Sequence, residues 1–168
     1  MTAKVISFIN LKGGVGKTTL ALAAGEILAG NEWWYEGTDF SLHKKVLMID
    51  LDGQSNLTFA ILDEEKIRNC WNNKMSTYHF FSSLLEDPQV SINSCVSERC
   101  SNIISTAGCL HVIPSSFDLF NFEEKVMEAY ETGRKIDLNF LRRALKWALT
   151  EEGLLNMLLL IVRRTYLS

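Results

Sequence analysis

The sequence predicts an α/β domain built on a doubly wound, mostly parallel sheet. Three observations carry this expectation. Apolar strand patterns alternate with helical ones along the chain, a glycine-rich run joins the first strand to the first helix, and the second apolar strand closes on two acidic residues, Asp50 and Asp52. Alternation matters because parallel strands need helix-length crossovers, which then cover both faces of the sheet.

Taken in order, strand one is expected over Lys4 to Asn10 and helix one from Lys17 to about Ala29, with Leu20, Ala23, Ala24, Ile27 and Leu28 on its apolar stripe. Strand two follows at Lys45 to Leu51. Between them, Gly30 to Lys44 reads as an inserted surface loop whose aromatics, Trp33, Trp34, Tyr35 and Phe40, either pack onto the domain or form a binding patch. Ser76 to Leu85 has helical spacing and ends before Pro88, and Val90 to Asn102 reads as an irregular connection. Leu110 to Ile113 is a strand terminated by Pro114. Asp118 is expected to cap a helix to about Tyr130, and Asp137 to begin another to about Leu149. Leu154 to Val162 is too short for a bilayer span and reads as a buried strand.

With 168 residues and 47% hydrophobic content, the chain has the length of one domain with a substantial core. A net charge of −3 gives no overall basic field, so nucleic-acid binding would need a local patch. Met1 to Lys4 lead straight into the first strand without a signal peptide, which predicts a cytoplasmic protein. Cys70, Cys95, Cys100 and Cys109 form no Cys-x-x-Cys pair and do not group with His43, His79 or His111 at metal-ligand spacing, so they read as ordinary reduced thiols and scattered imidazoles.

The run Lys12-Gly13-Gly14-Val15-Gly16-Lys17-Thr18-Thr19 has the chemistry of a phosphate cradle. Its three glycines let backbone N–H groups turn inward and approach phosphate oxygens closely. The helix beginning near Lys17 adds the positive end of its dipole, Lys17 a mobile charge for the β/γ-phosphates, and Thr18 a hydroxyl able to ligate Mg²⁺. A ligand-free glycine turn is the alternative. The ordinary P-loop has glycine five residues before Gly16, whereas this chain has Leu11 there and Lys12 next to it.

That deviant form resembles the ParA/MinD family of ATPases. Lys45 to Thr58, containing Asp50-Leu51-Asp52-Gly53-Gln54-Ser55-Asn56, is similar to the partition-protein segment Asp-x-Asp-Pro-Gln-x-Asn, with Gly53 where the family usually has proline. Side chains alternate along a strand, so Asp50 and Asp52 are expected on one face, towards the phosphates. An acidic helix cap is the plainer reading of that segment. Leu110 to Ser116 resembles the family strand ending in Ile-Pro-Ser, and the likeness spans residues 3 to about 150. It implies a P-loop NTPase-like fold that binds ATP and Mg²⁺ through Lys12, Gly13, Gly14, Val15, Gly16, Lys17, Thr18 and Thr19. It further implies that Lys12 reaches the phosphates of a partner subunit in an ATP-dependent homodimer, that Asp52 positions the attacking water, and that Asp50 sits near the metal shell with Thr18. The same resemblance implies nonspecific DNA binding, a ParB-like partner that stimulates hydrolysis, association with the nucleoid, and no membrane. The absence of cluster cysteines argues against the iron–sulfur carriers and the nitrogenase iron protein.

Residues 151–168 depart from the family, which continues into a strand closing in Asp-x-Pro-Pro, the Walker B aspartate. Here the stretch is Leu158-Leu159-Leu160-Ile161-Val162-Arg163-Arg164-Thr165-Tyr166. One choice of codons for Leu160 to Leu167, read one frame on, encodes Asp-Cys-Pro-Pro-Asn-Leu-Ser. A frame slip near residues 151–154 that truncated a longer ATPase is therefore the expected origin, with independent divergence as the alternative. A chain without Walker B is expected to hydrolyse ATP very weakly and to leave the strand near Leu154 to Val162 as an unprotected edge. Two other readings stay open: a MinD-like membrane-cycling ATPase, and a non-catalytic remnant that at most binds nucleotide or pairs with intact subunits.

Overall fold

Val46, Leu47, Met48 and Ile49 are apolar without interruption, the pattern of a strand covered on both faces. The computed structural model, which describes residues 4–9, 16–30, 46–87, 90, 95, 110–133 and 157–162, buries all four almost completely. They belong to β2 (Val46–Leu51), which shares a sheet with β1 (Lys4–Ile9), β3 (Leu110–Ile113) and β4 (Met157–Val162). The strand order is β1-β4-β2-β3 and each neighbouring pair is parallel, with Ile9 and Leu51 both level with Val162, and Ile49 level with Ile113.

The helices are α1 (Lys17–Gly30), α2 (Asn56–Ile61), α3 (Glu64–Asn72), α4 (Thr77–Glu86) and α5 (Phe122–Glu131). Strand parity sorts them into two layers. Val46, Met48, Leu110 and Val112 pack with Ala21 and Ala29 of α1, Leu57 and Ile61 of α2, and Ile67 and Cys70 of α3. Leu47, Ile49 and Ile113 face the other way, onto Phe80, Phe81 and Leu84 of α4, with Leu119 and Phe122 alongside.

Four expectations change. The strand expected to be an unprotected edge, β4, is instead interior, paired with β1 on one side and β2 on the other. A crossover that returns the chain between two earlier strands makes β1 and β3 the edges of the described sheet. On α1, Ala21, Gly25 and Ala29 form the buried line, while Leu20 and Ile27 are more than half exposed and Ala23 faces solvent. Small residues let this helix approach the sheet closely: a Cβ on Gly25 would lie 2.6 Å from Met48 Sδ. Asp118 does not cap an α-helix, because Phe117–Asn121 form a tighter 3-10 turn and α5 starts only at Phe122. Finally, α2 and α3 fill a stretch in which no element is expected from the sequence pattern.

Elsewhere the boundaries agree. Ser76 caps α4, its hydroxyl accepting from His79 N, and Pro114 follows β3 directly. Asp63 caps α3 by accepting from Lys66 N, with Glu64 and Glu65 in the first turn. The aromatic insertion, the Asp137 to Leu149 helix and most of the Val90 to Asn102 connection lie outside the described residues. Cys70 and Cys95 are buried and neither is in a disulfide among the described residues, where no group of His, Cys, Asp and Glu could hold a metal by itself.

Candidate functional site

Because the strands are parallel, their carboxyl ends gather along one rim of the sheet, where open α/β folds bind ligands. Two described segments leave strands at that rim, the turn after β2 and Pro114-Ser115-Ser116 after β3, and α1 is the element that follows β1.

Of the glycine-rich run, Gly16, Lys17, Thr18 and Thr19 are described, and Lys12, Gly13, Gly14 and Val15 lie outside the described residues. Gly16 has φ +80°, a conformation that needs glycine, and a Cβ there would meet nothing within 4 Å among the described residues. Its carbonyl accepts from Leu20 N at 2.8 Å and starts α1. Lys17 and Thr18, both half-buried, thus occupy the first turn of a 14-residue helix that carries no acidic residue in that turn. Backbone N–H groups, a lysine and a hydroxyl in one helix turn suit a phosphate and its Mg²⁺.

The turn after β2 is built around Asp50. Strand alternation governs Asp50 alone, since β2 ends at Leu51 and Asp52 belongs to the turn. Asp50 is fully buried on the side of Met48, and both its oxygens are engaged. Oδ1 accepts from Asp52 N at 3.1 Å, while Oδ2 accepts from Thr58 N at 2.9 Å and Thr58 Oγ1 at 2.7 Å. Burial pushes its pKa up to about 6, and the bonds from Thr58 and Asp52 pull it down. At neutral pH it is therefore mostly ionised.

Asp52 is half-buried, and its carboxylate accepts from Gln54 N at 3.0 Å, closing an Asx turn. The next residues are tight. Ser55 takes a left-handed conformation, φ 58°, to enter α2, and its buried hydroxyl has no partner among the described residues. Gly53 is buried under Phe120, whose ring would lie 2.9 Å from a Cβ at that position. A side chain at position 53, proline included, competes with this ring.

The segment after β3 is bonded to the β2 turn. Ser115 N donates to Thr58 Oγ1 at 2.8 Å, and Thr77 Oγ1 donates to Asp50 O at 2.9 Å and to Pro114 O at 3.2 Å. Trp71 Nε1 donates to Ser115 O at 3.0 Å, with Phe59 and Phe117 against its ring. Ser76 Oγ lies 2.8 Å from His79 Nδ1 and 3.3 Å from Ser116 Oγ. Sequence reasoning found Asp50 and Asp52 but missed Thr58, Trp71, Thr77 and Ser115. One available signal was a threonine among the apolar residues Leu57 and Ile61, where packing alone asks for valine.

Comparison with known proteins follows this geometry. Over 58 residues, 34% of this chain and 18% of its own length, the virulence plasmid ParA family protein pGP5-D of Chlamydia psittaci is 46% identical. Over 132 residues, 79% of this chain and 42% of its own, the uncharacterized protein MJECL24 of Methanocaldococcus jannaschii is 34% identical. The chain thus spans less than half the length of these relatives. A plasmid partition protein from Borrelia burgdorferi superposes with TM-score 0.63 and 26% identity, covering 98% of this chain and 57% of that one. Two further structures share the fold at lower identity. One is a putative Borrelia burgdorferi partition protein bound to AMPPNP (TM-score 0.58, 23% identity, 98% and 55% covered), and the other is pNOB8 ParA bound to nonspecific DNA (TM-score 0.61, 22%, 98% and 48%). A left-handed glycine opening α1, two aspartates at the end of β2 and a family model for an AAA domain matching residues 3–151 agree: the chain belongs to the AAA_31 family of ParA/MinD-type P-loop ATPase domains.

Proposed function

We propose that this chain binds Mg-ATP at the start of α1 and supplies the nucleotide site of a ParA/Soj-like partition ATPase. The observation that carries this reading is a left-handed Gly16 that opens a helix with Lys17 and Thr18 in its first turn, in a parallel sheet whose β2 ends in Asp50 and the Asp52 turn. AMPPNP in one structural neighbour and the family membership support it.

In this reading Lys17 and the N-terminal amides of α1 hold the β/γ-phosphates, Lys12 to Val15 complete the cradle, and Thr18 ligates Mg²⁺ with Asp50 near its shell. Asp52 orients the attacking water, and Lys12 reaches the nucleotide of a second subunit in an ATP-dependent homodimer. Bound Mg²⁺ supplies charge neutralisation for phosphoryl transfer, and the residues contribute position. Nonspecific DNA, which the pNOB8 ParA structure contains, and a ParB-like activator are the partners of the complete assembly. The proposed setting is the cytoplasm, and no helix among the described residues is long and apolar enough to cross a membrane.

Calorimetry with Mg-ATP tests the assignment. Wild type should bind, and Lys17→Ala should lose at least about 100-fold in affinity, because a charge-assisted contact to phosphate is removed. Equal affinities would sink the site. Binding without measurable hydrolysis identifies the non-catalytic remnant.

A further inference from the structure

Thr58 connects the β2 turn to the end of β3. Its amide and hydroxyl both donate to Asp50 Oδ2, and the same hydroxyl oxygen accepts from Ser115 N. The other oxygen of Asp50 accepts from Asp52 N. We infer that Thr58 is a positioning residue for Asp52: it fixes the rotation of the Asp50 carboxylate, and that carboxylate anchors the backbone on which Asp52 is carried.

Packing alone does not require threonine. The side chain is fully buried on a helix face whose neighbours, Leu57 and Ile61, join the apolar cluster under the sheet. Valine would fill the same volume. What valine lacks is the one atom that can donate to Asp50 and accept from Ser115 at once, and its loss would leave a carboxylate oxygen and an N–H short of partners in a dry environment. The backbone amide at position 58 would then hold the carboxylate without the hydroxyl, its rotation would be less restrained, and the acceptor of the Asp52 amide would be less firmly fixed.

Only the link to hydrolysis rests on the proposed function, so the test has two independent readouts. In the full chain without nucleotide, amide hydrogen exchange at Asp52 should be about tenfold faster in Thr58→Val than in wild type, relative to Ile49 in the core, and Thr58→Ser should restore it. Should Thr58→Val fail to fold, Thr58→Cys is read in the same way, since it keeps the volume with a weaker donor. Unchanged exchange at Asp52, or acceleration no greater than at Ile49, overturns the inference. Where wild type hydrolyses ATP, Thr58→Val should lower kcat about tenfold with KM within about twofold, and Thr58→Ser should recover most of it. A rise in KM at constant kcat overturns the link to Asp52. If wild type shows no hydrolysis, the exchange readout alone decides the role of Thr58, and the proposed nucleotide site stands or falls separately on the calorimetry of Lys17→Ala.

Discussion

Asp50 combines burial with three hydrogen bonds to its carboxylate, and the two oppose each other. Burial dominates, so its pKa of about 6 exceeds the ordinary 3.8 and the native state holds this proton more tightly than the unfolded chain does. The favourable contribution is complete below about pH 3.8 and is lost as pH rises through about 6, a change of about 3 kcal/mol over that window. Asp50→Asn cannot titrate there, so its urea stability should gain on wild type between those pH values, and a constant difference would contradict the assignment. His79 has the opposite sign, because burial lowers its pKa and its stabilising share is lost on acidification. Ser55 makes a simpler prediction. Its left-handed backbone and unpartnered hydroxyl both suit glycine, so Ser55→Gly should raise stability by about 1 kcal/mol in urea denaturation. In a complete ParA-like protein bearing this sequence as its N-terminal portion, Asp52→Ala, which under the proposed reading removes the group that acts on water, should slow turnover by about 10²–10⁴-fold while Mg-ATP remains bound, as read by single-turnover kinetics.

At the level of elements, α1 explains both what periodicity reveals and where it fails. Nearly every position from Leu20 to Ala29 is apolar or small, so no stripe stands out, and size alone selects Leu20 and Ile27 for the core face. The sheet instead takes the small face, because Gly25 touching Met48 brings the helix closer than leucines would allow. Gly25→Val should therefore cost about 1–3 kcal/mol by overpacking, measured by chemical denaturation, although valine is the better helix former. The helices α2 and α3 escaped notice for another reason: α2 is six residues long and enters through a non-glycine left-handed residue, which no cap rule anticipates. In α3 the signal was present, as Asp63 before Glu64 and Glu65, with Ile67, Cys70 and Trp71 at helical spacing. Strand β2 was legible because an uninterrupted apolar run ended at Asp50, and β3 because a short run, apolar except for His111, stopped at Pro114. Which strands are neighbours is set by crossover geometry rather than local pattern, and that is why the interior place of β4 was not legible.

Across the whole molecule, position in the sheet sets how each strand should open. β2 pairs on both sides and is covered on both faces, whereas β1 pairs with β4 alone among the described residues and exposes more than a third of Ile6. Hydrogen exchange should therefore find the amides of Met48 and Ile49 opening only with global unfolding, and those of β1 earlier. The links between the β2 turn and the end of β3 have a different consequence. Thr58 bonds Ser115, Trp71 bonds the same residue from the other side, and Phe120 fills the volume that a side chain on Gly53 would need. Two loops distant in sequence thus behave as one interchangeable part. Residues 50–58 grafted alone from a proline-bearing relative would bring a side chain into the space of Phe120. Phe120 is 46% exposed, so its ring can turn aside at a cost, and a graft that also exchanges residues 114–120 should lose less stability than the single graft.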